Sequence, residues 1–177
     1  MKVLAVSGSL RAGSHNTLLL EEAAAAAPAG IDVELFDGSL IAELPAYDQD
    51  LDAEGDVPVS VQRLREAWAE PDAIIFATPE FNGSVPGGLK NAIDWASRPL
   101  GEAPLLNKTV TVVGASTGRF GALWAQNDLR RILGIAGARV VGEALPVARA
   151  QDGLSEPTRD ALRSQLDLLV EATAVPA

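Results

Sequence analysis

The fold is decided near the start of the chain, by the loop Gly8-Ser9-Leu10-Arg11-Ala12-Gly13-Ser14-His15-Asn16. The apolar run Lys2–Val6 lies before this loop and predicts a β-strand, whereas the segment Thr17–Ala24 follows it and predicts an α-helix. A helix that begins after such a loop leaves backbone N–H groups unpaired and carries a partial positive charge at its N-terminus. The succession of strand, loop and helix therefore predicts a binding site for an anion.

The side chains of this loop favour a phosphate monoester as the anion. Ser9, Ser14, Asn16 and Thr17 supply hydrogen-bond donors, and Arg11 adds a full positive charge. A helix start that is only capped, with no ligand, needs fewer of these groups. We therefore prefer a phosphate site over a simple capped helix.

Two other kinds of phosphate loop agree less well with the sequence. A P-loop ends in Gly-Lys-Ser/Thr, and this loop contains no lysine. A dinucleotide-binding loop has the pattern Gly-x-Gly-x-x-Gly, but here only Gly8 and Gly13 are present and the middle glycine is missing. Asp37, which follows the second predicted strand, could still act as the ribose-binding acid. A dinucleotide-binding module without flavin therefore stays open.

Strands and helices alternate along the rest of the chain. Apolar patterns predict further strands over 31–36, 73–77, 108–115 and 137–142, and helices over 59–70, 87–98, 122–135 and after Ser155. This alternation predicts an α/β fold with a parallel sheet, in one domain over residues 1–177. Ligands of such folds bind beyond the carboxyl ends of the strands, where the loops 78–86 and 116–121 would join the first loop. The acidic stretch 37–58 is expected to be irregular, either functional or merely mobile.

The composition excludes several classes of partner and site. The formal net charge of −10 argues against nucleic acid and anionic membranes as partners. The chain has no cysteine, which excludes disulfides, thiolate metal sites and cysteine nucleophiles. We see neither the pattern of a signal peptide nor an apolar run long enough to span a bilayer. We therefore expect a cytoplasmic protein that acts on small molecules and holds no metal.

A second motif, from Pro79 to Trp95, reads Pro-Glu-Phe-Asn-Gly-Ser-Val-Pro-Gly-Gly-Leu-Lys-Asn-Ala-Ile-Asp-Trp. Together with Gly8-Ser9-Leu10-Arg11, Ser14 and Asn16, it resembles the NADPH-dependent FMN reductase family, which includes quinone and chromate reductases. The resemblance covers nearly the whole chain in the order of elements. It implies a flavodoxin-like three-layer sandwich, with a five-stranded parallel sheet of order 2-1-3-4-5 and helices on both faces. The family commonly has Tyr where this chain has Phe81, so the ring is kept and the hydroxyl is lost.

The resemblance also implies which residues hold the cofactor. The FMN phosphate would be bound by Ser9, Arg11, Ser14, Asn16 and Thr17. The isoalloxazine ring would lie against Pro79, Glu80, Phe81, Asn82 and Gly83, with Ser116, Thr117 and Gly118 on a third side. NADPH would reduce the FMN, and a quinone, a flavin or a similar small electron acceptor would oxidise it, with no catalytic side chain required. Members of the family usually associate, which implies a homodimer or a homotetramer.

Some interpretations stay open at this point. A flavodoxin-type electron carrier would bind FMN without turnover of nicotinamide, and its acidic surface would suit docking to a redox partner. We expect His15 to be a bystander and Glu80 to position backbone rather than donate a proton. Arg119 could meet the 2′-phosphate of NADPH or form an ion pair between subunits. Trp95 and Trp124 could lie in the core or at a subunit interface, and we favour the interface.

Overall fold

The computed structural model describes residues 1–52 and 57–175. Its strands are β1 (Lys2–Ser7), β2 (Asp32–Leu35), β3 (Ala73–Ala77), β4 (Thr109–Ala115), β5 (Arg139–Val140) and β6 (Leu145–Val147). Its helices are α1 (His15–Ala25), α2 (Ser39–Glu43), α3 (Val59–Ala69), α4 (Gly87–Ala96), α5 (Leu123–Ile135) and α6 (Glu156–Thr173), with short 3-10 turns at Gln49–Asp52 and Ala150–Asp152. Within these residues no helix is both long and apolar enough to cross a membrane.

The strands form one parallel sheet in the order β2-β1-β3-β4-β5. This order is that of flavodoxin-like folds, and it confirms the expected topology. β2 lies at one edge and is largely exposed, whereas every residue of β3 and β4 is buried. The carboxyl ends of β1, β3 and β4 therefore lie side by side in the middle of the sheet.

The other edge of the sheet differs from the prediction. Residues 137–142 were expected to form one strand, but β5 has only two residues, and β6 pairs in parallel with the end of β4 after an interruption. The interruption occurs at Gly142, whose φ is +67°. Side chains of α5 hold it, because Arg130 donates to the carbonyl of Gly142 at 2.6 Å and Gln126 accepts the N–H of Leu145 at 2.8 Å. These contacts hold a sixth strand in a segment for which no strand was predicted.

Helices cover both faces of the sheet, as expected. Because side chains alternate along a strand, Leu4 and Val6 face one layer while Val3 and Ala5 face the other. Helices α2 to α5 contribute to the first apolar core, and α1 and α6 contribute to the second. The result is the three-layer sandwich that the resemblance implied.

The stretch 37–58 is more ordered than expected, although residues 53–56 of it lie outside the described residues. It contains α2 and the 3-10 turn at Gln49–Asp52. Asp37, the candidate ribose-binding acid, accepts the N–H of Ser39 at 3.0 Å at the start of α2. Hydrogen bonds from Ser39 lower the pKa of the Asp37 carboxyl below its usual value. In this structure the Asp37 carboxylate therefore makes a local hydrogen bond in the turn that leads into α2, whose N-cap is Gly38.

Trp95 is not at a subunit interface, so this prediction is wrong. Its side chain is fully buried, and its indole N–H donates to the carbonyl of Pro45 at 2.9 Å. On the same helix, Asn91 donates to that carbonyl at 2.8 Å and accepts the N–H of Tyr47, also at 2.8 Å. The end of the second motif thus anchors the segment 45–47 onto α4.

Candidate functional site

Three loops meet at the carboxyl edge of the sheet. The N–H of Gly8 donates to the carbonyl of Ala77 at 2.8 Å, and the N–H of Thr78 donates to the carbonyl of Val113 at 3.0 Å. A Cβ atom at Gly8 would lie 2.7 Å from Cδ2 of Leu89, which is closer than real contacts allow. A side chain at residue 8 would therefore have to displace Leu89, and glycine lets the first loop lie against the second motif without that shift.

The first loop offers a set of unused donors at the start of α1. Ser14 caps the helix, since its Oγ accepts the N–H groups of Asn16 and Thr17 at 3.1 and 3.5 Å. Within the described part of the chain, the N–H groups from Leu10 to Gly13 donate to no protein acceptor. The Arg11 guanidinium is exposed and makes only a long contact, 3.4 Å, with the carbonyl of Ala12. This geometry can hold an anion.

Two of the residues expected to bind phosphate have other partners in this structure. The buried amide of Asn16 donates to the carbonyl of Ala115 at 3.0 Å and accepts the N–H of Ala115 at 2.9 Å. Thr17 donates its hydroxyl to Ser7 at 3.1 Å. Both residues lie in the first turn of α1, but these contacts tie the helix to the strands. Their role as phosphate ligands stays a prediction.

The second loop is a tight turn. Phe81 and Ser84 exchange two backbone hydrogen bonds of 3.1 Å, and φ is +52° at Asn82 and +77° at Gly83. Positive φ at both central residues is the mark of a type I′ turn, for which Asn-Gly is the preferred sequence. The Phe81 side chain is 58% exposed. Among the described residues, the N–H groups of Asn82 and Gly83 have no protein acceptor. The turn thus presents an aromatic ring and two donors to solvent.

Glu80 and Ser84 link this turn to α5. The Glu80 carboxylate accepts the N–H groups of Trp124 and Ala125 at 3.1 and 3.2 Å. The Ser84 hydroxyl donates to the carboxylate of Asp128 at 2.8 Å. The turn is therefore connected to the helix on both sides.

The third loop is hydrogen-bonded to the end of β6 and to the residues that follow β6. Ser116 donates its N–H to Val147 at 3.0 Å and accepts the N–H of Ala150 at 3.1 Å. Arg149 donates its N–H to the carbonyl of Gly118 at 3.2 Å. The sequence analysis missed this support because it predicted no strand between residue 142 and Ser155. The short apolar run Leu145–Val147 was the only indication of a strand there.

An exposed aromatic pair borders the third loop. The rings of Phe120 and Trp124 have centroids 4.6 Å apart, and the Cζ atom of Arg119 lies 4.3 Å from the Phe120 centroid. Trp124 is 48% exposed, so its place at a subunit interface stays a prediction.

His15 lies at the start of α1, in a groove that it lines with Glu22 and Arg159 between α1 and α6. In the part of the chain that the structure covers, acidic residues and His15 form no cluster fit for a metal ion.

The chain is similar to several known proteins of one family. Residues 1–152 match the model of the family described as NADPH-dependent FMN reductase. The chain is 50% identical to an NAD(P)H-dependent FMN reductase of Pseudomonas aeruginosa over 75% of this chain and 69% of the relative. It is 40% identical to a quinone reductase of Escherichia coli over 81% of this chain and 74% of the relative. The structure of FerB, a flavoenzyme NAD(P)H:(acceptor) oxidoreductase of Paracoccus denitrificans, aligns with a TM-score of 0.80 and 31% identity over 96% of this chain and 97% of FerB.

We predict that Asn16→Ala destabilises the protein even without a ligand. The substitution leaves the N–H and the carbonyl of Ala115 without their partner in a buried place, which costs about 2–4 kcal/mol in free energy of unfolding. Urea unfolding of the ligand-free protein measures this loss. Asn127→Ala, at an exposed position of α5, is the matched control and should change the stability by less than about 0.5 kcal/mol. Equal stability of the two variants would contradict the role we give to Asn16.

Proposed function

Because this chain belongs to the NADPH-dependent FMN reductase family, we propose that it uses NADPH to reduce a quinone, a flavin or a similar small acceptor through bound FMN. We also propose that residues 1–177 act as one FMN-binding domain in the cytoplasm. One observation carries the proposal. The hydrogen bond from Gly8 to Ala77 places the loop with unused donors directly beside the loop that leads to the exposed Phe81.

The residues of the first loop fit the phosphate of FMN. A phosphate monoester carries close to two negative charges at neutral pH and accepts several hydrogen bonds. The N–H groups from Leu10 to Gly13 and the side chains of Ser9 and Ser14 supply donors, and the Arg11 guanidinium supplies the charge. We propose Asn16 and Thr17 as indirect contributors, which hold α1 in place.

The residues of the second and third loops fit a flat heteroaromatic ring. When bound, FMN supplies the chemistry that accepts and passes on a hydride. The N–H groups of Asn82 and Gly83 would donate to polar atoms at the ring edge, and the Phe81 ring offers an apolar face beside it. We propose that Pro79, Ser116, Thr117 and Gly118 complete this wall. Because the turn is exposed, the nicotinamide and the acceptor would reach the site from solvent, one after the other.

Arg119 is our candidate for contact with the 2′-phosphate of NADPH. Its guanidinium is held over Phe120, and within the described chain it takes part in no ion pair. A planar cation that is already ordered loses little freedom when it binds a phosphate. An ion pair with a carboxylate of a second subunit is the alternative role.

Reduction by NADPH under anaerobic conditions tests the proposed function. We expect the protein, loaded with FMN, to lose its yellow absorbance when NADPH is added and to regain it when benzoquinone follows. A flavin that stays yellow with NADPH but accepts electrons from dithionite would favour the electron carrier instead. A protein that cannot be loaded with FMN at all would favour the dinucleotide-binding module.

The Arg11→Ala variant tests the placement of the phosphate. Loss of a charge-assisted hydrogen bond costs about 1.5–3 kcal/mol, so the dissociation constant for FMN should rise roughly 10- to 100-fold. Quenching of flavin fluorescence measures the constant. Riboflavin, which lacks the phosphate, should bind the variant and the unchanged protein equally well. Arg163→Ala on α6 is the matched control. An unchanged constant for FMN would refute the placement.

We expect a homodimer or a homotetramer of the 18.4 kDa chain in solution. Leu100 and Ile135 are 80% and 76% exposed, and both line a groove of about 380 Å³ between α4 and α5. Apolar side chains exposed together in this way are typical of association surfaces. Sedimentation velocity measures the mass of the species in solution. The Ile135→Asp variant should form a smaller species than the unchanged protein. A monomeric unchanged protein would contradict the expectation, and Leu168→Asp on α6 is the control.

A further inference from the structure

Helix α5 begins without a cap of its own. The residue before it is Ala122, which has a φ of +60° and no side chain that can accept a hydrogen bond. Glu80, from the loop after β3, supplies the missing acceptor, because its Oε2 accepts the N–H groups of Trp124 and Ala125. A carboxylate at this position also meets the positive end of the helix dipole. The cap of α5 is therefore provided by a residue more than 40 positions earlier in the chain.

A second contact lies one helical turn further along α5. Asp128 accepts the hydroxyl of Ser84 at 2.8 Å. Glu80 precedes the two-residue turn Asn82–Gly83 and Ser84 follows it, so the two contacts bracket the turn. A turn that is fixed on both sides cannot shift relative to α5 without loss of a hydrogen bond.

Helix α5 is itself fixed to the sheet. The buried Gln126 donates to the carbonyl of Gly121 at 2.9 Å and accepts the N–H of Leu145 at 2.8 Å. Leu129 and Leu133 lie in the apolar core under the sheet. Helix α5 thus has a fixed place on the sheet, and the loop that Glu80 joins to its first turn is fixed with it.

We propose that Glu80 is a positioning residue, which sets the place of the Asn82 and Gly83 N–H groups by joining their turn to the N-terminus of α5. The inference rests on the proposed function, since FMN is the group that these N–H groups would meet. Donors at the edge of the ring stabilise the more electron-rich, reduced form, so a displaced turn changes the reduction potential and the affinity. Oε2 of Glu80 already accepts two hydrogen bonds, which is the arrangement of a carboxylate that caps rather than of an acid that donates a proton.

The matched pair Glu80→Ala and Glu80→Gln tests this role. Glutamine keeps a side-chain oxygen that can accept the N–H groups of Trp124 and Ala125, whereas alanine keeps none. In the FMN-free protein, we expect Glu80→Ala to raise hydrogen exchange at these two amides roughly fivefold, the factor that corresponds to a lost helix cap. Glu80→Gln should restore most of the protection, and Glu171→Ala, on the exposed side of α6, should change nothing.

The same variants are then loaded with FMN. Glu80→Ala should raise the FMN dissociation constant roughly fivefold and shift the reduction potential of the bound flavin, and Glu80→Gln should recover both values. Wild-type exchange at Trp124 and Ala125 in Glu80→Ala would overturn the proposal. A lower melting temperature with unchanged potential and FMN affinity would also overturn it, since the role would be structural only. Failure of the proposed function would show differently, as an unmodified protein that NADPH does not reduce.

Discussion

The site depends on two hydrogen bonds between the Asn16 amide and the backbone of Ala115. Asn16 lies in the first turn of α1, and Ala115 is the last residue of β4, which is separated from β1 by β3. The amide therefore holds the start of α1 across the centre of the sheet, beside the ends of three strands. The unused N–H groups of the first loop keep their place because this helix cannot tilt away. A buried amide with both ends paired is stable there, and one without partners would not be.

Close approach of the loops is the second constraint, and glycine makes it possible. A Cβ atom at Gly114 would lie 2.7 Å from the carbonyl oxygen of Thr78 and 2.8 Å from the Gln126 amide. A Cβ atom at Gly8 would likewise lie too close to Leu89. The two sequence motifs contain residues of two kinds. Some are buried and hold the elements of the site together, such as Asn16, whose amide joins α1 to the end of β4. Others are exposed and remain available to a ligand, such as Arg11 and Phe81.

Local patterns and the second motif were enough to predict the alternation of elements, the strand order and which three loops meet at the carboxyl edge of the sheet. They could not show which partner each side chain has. An aromatic residue on an apolar helix face suits a core or an interface equally, and for Trp95 the segment 45–47, which covers the side chain, decides for the core. The partner of Asn16 is 99 positions away, beyond the reach of any local pattern. β6 was not predicted because the bend before it is held by side chains of α5, and a local sequence pattern does not show such contacts.

An anionic cofactor in a chain of net charge −10 requires that local contacts outweigh the overall field. Charges more than about 8 Å away are largely screened at physiological salt, so the nearest donors decide. The helix N-termini differ in this respect. That of α5 is neutralised by Glu80, and that of α6 carries Glu156 in its first turn beside its Ser155 cap. The first turn of α1 has no acidic residue, and Arg11 stands next to it. Of these three helix ends, only that of α1 keeps its positive potential for a ligand, which supports our proposal that this acidic protein binds a phosphate there.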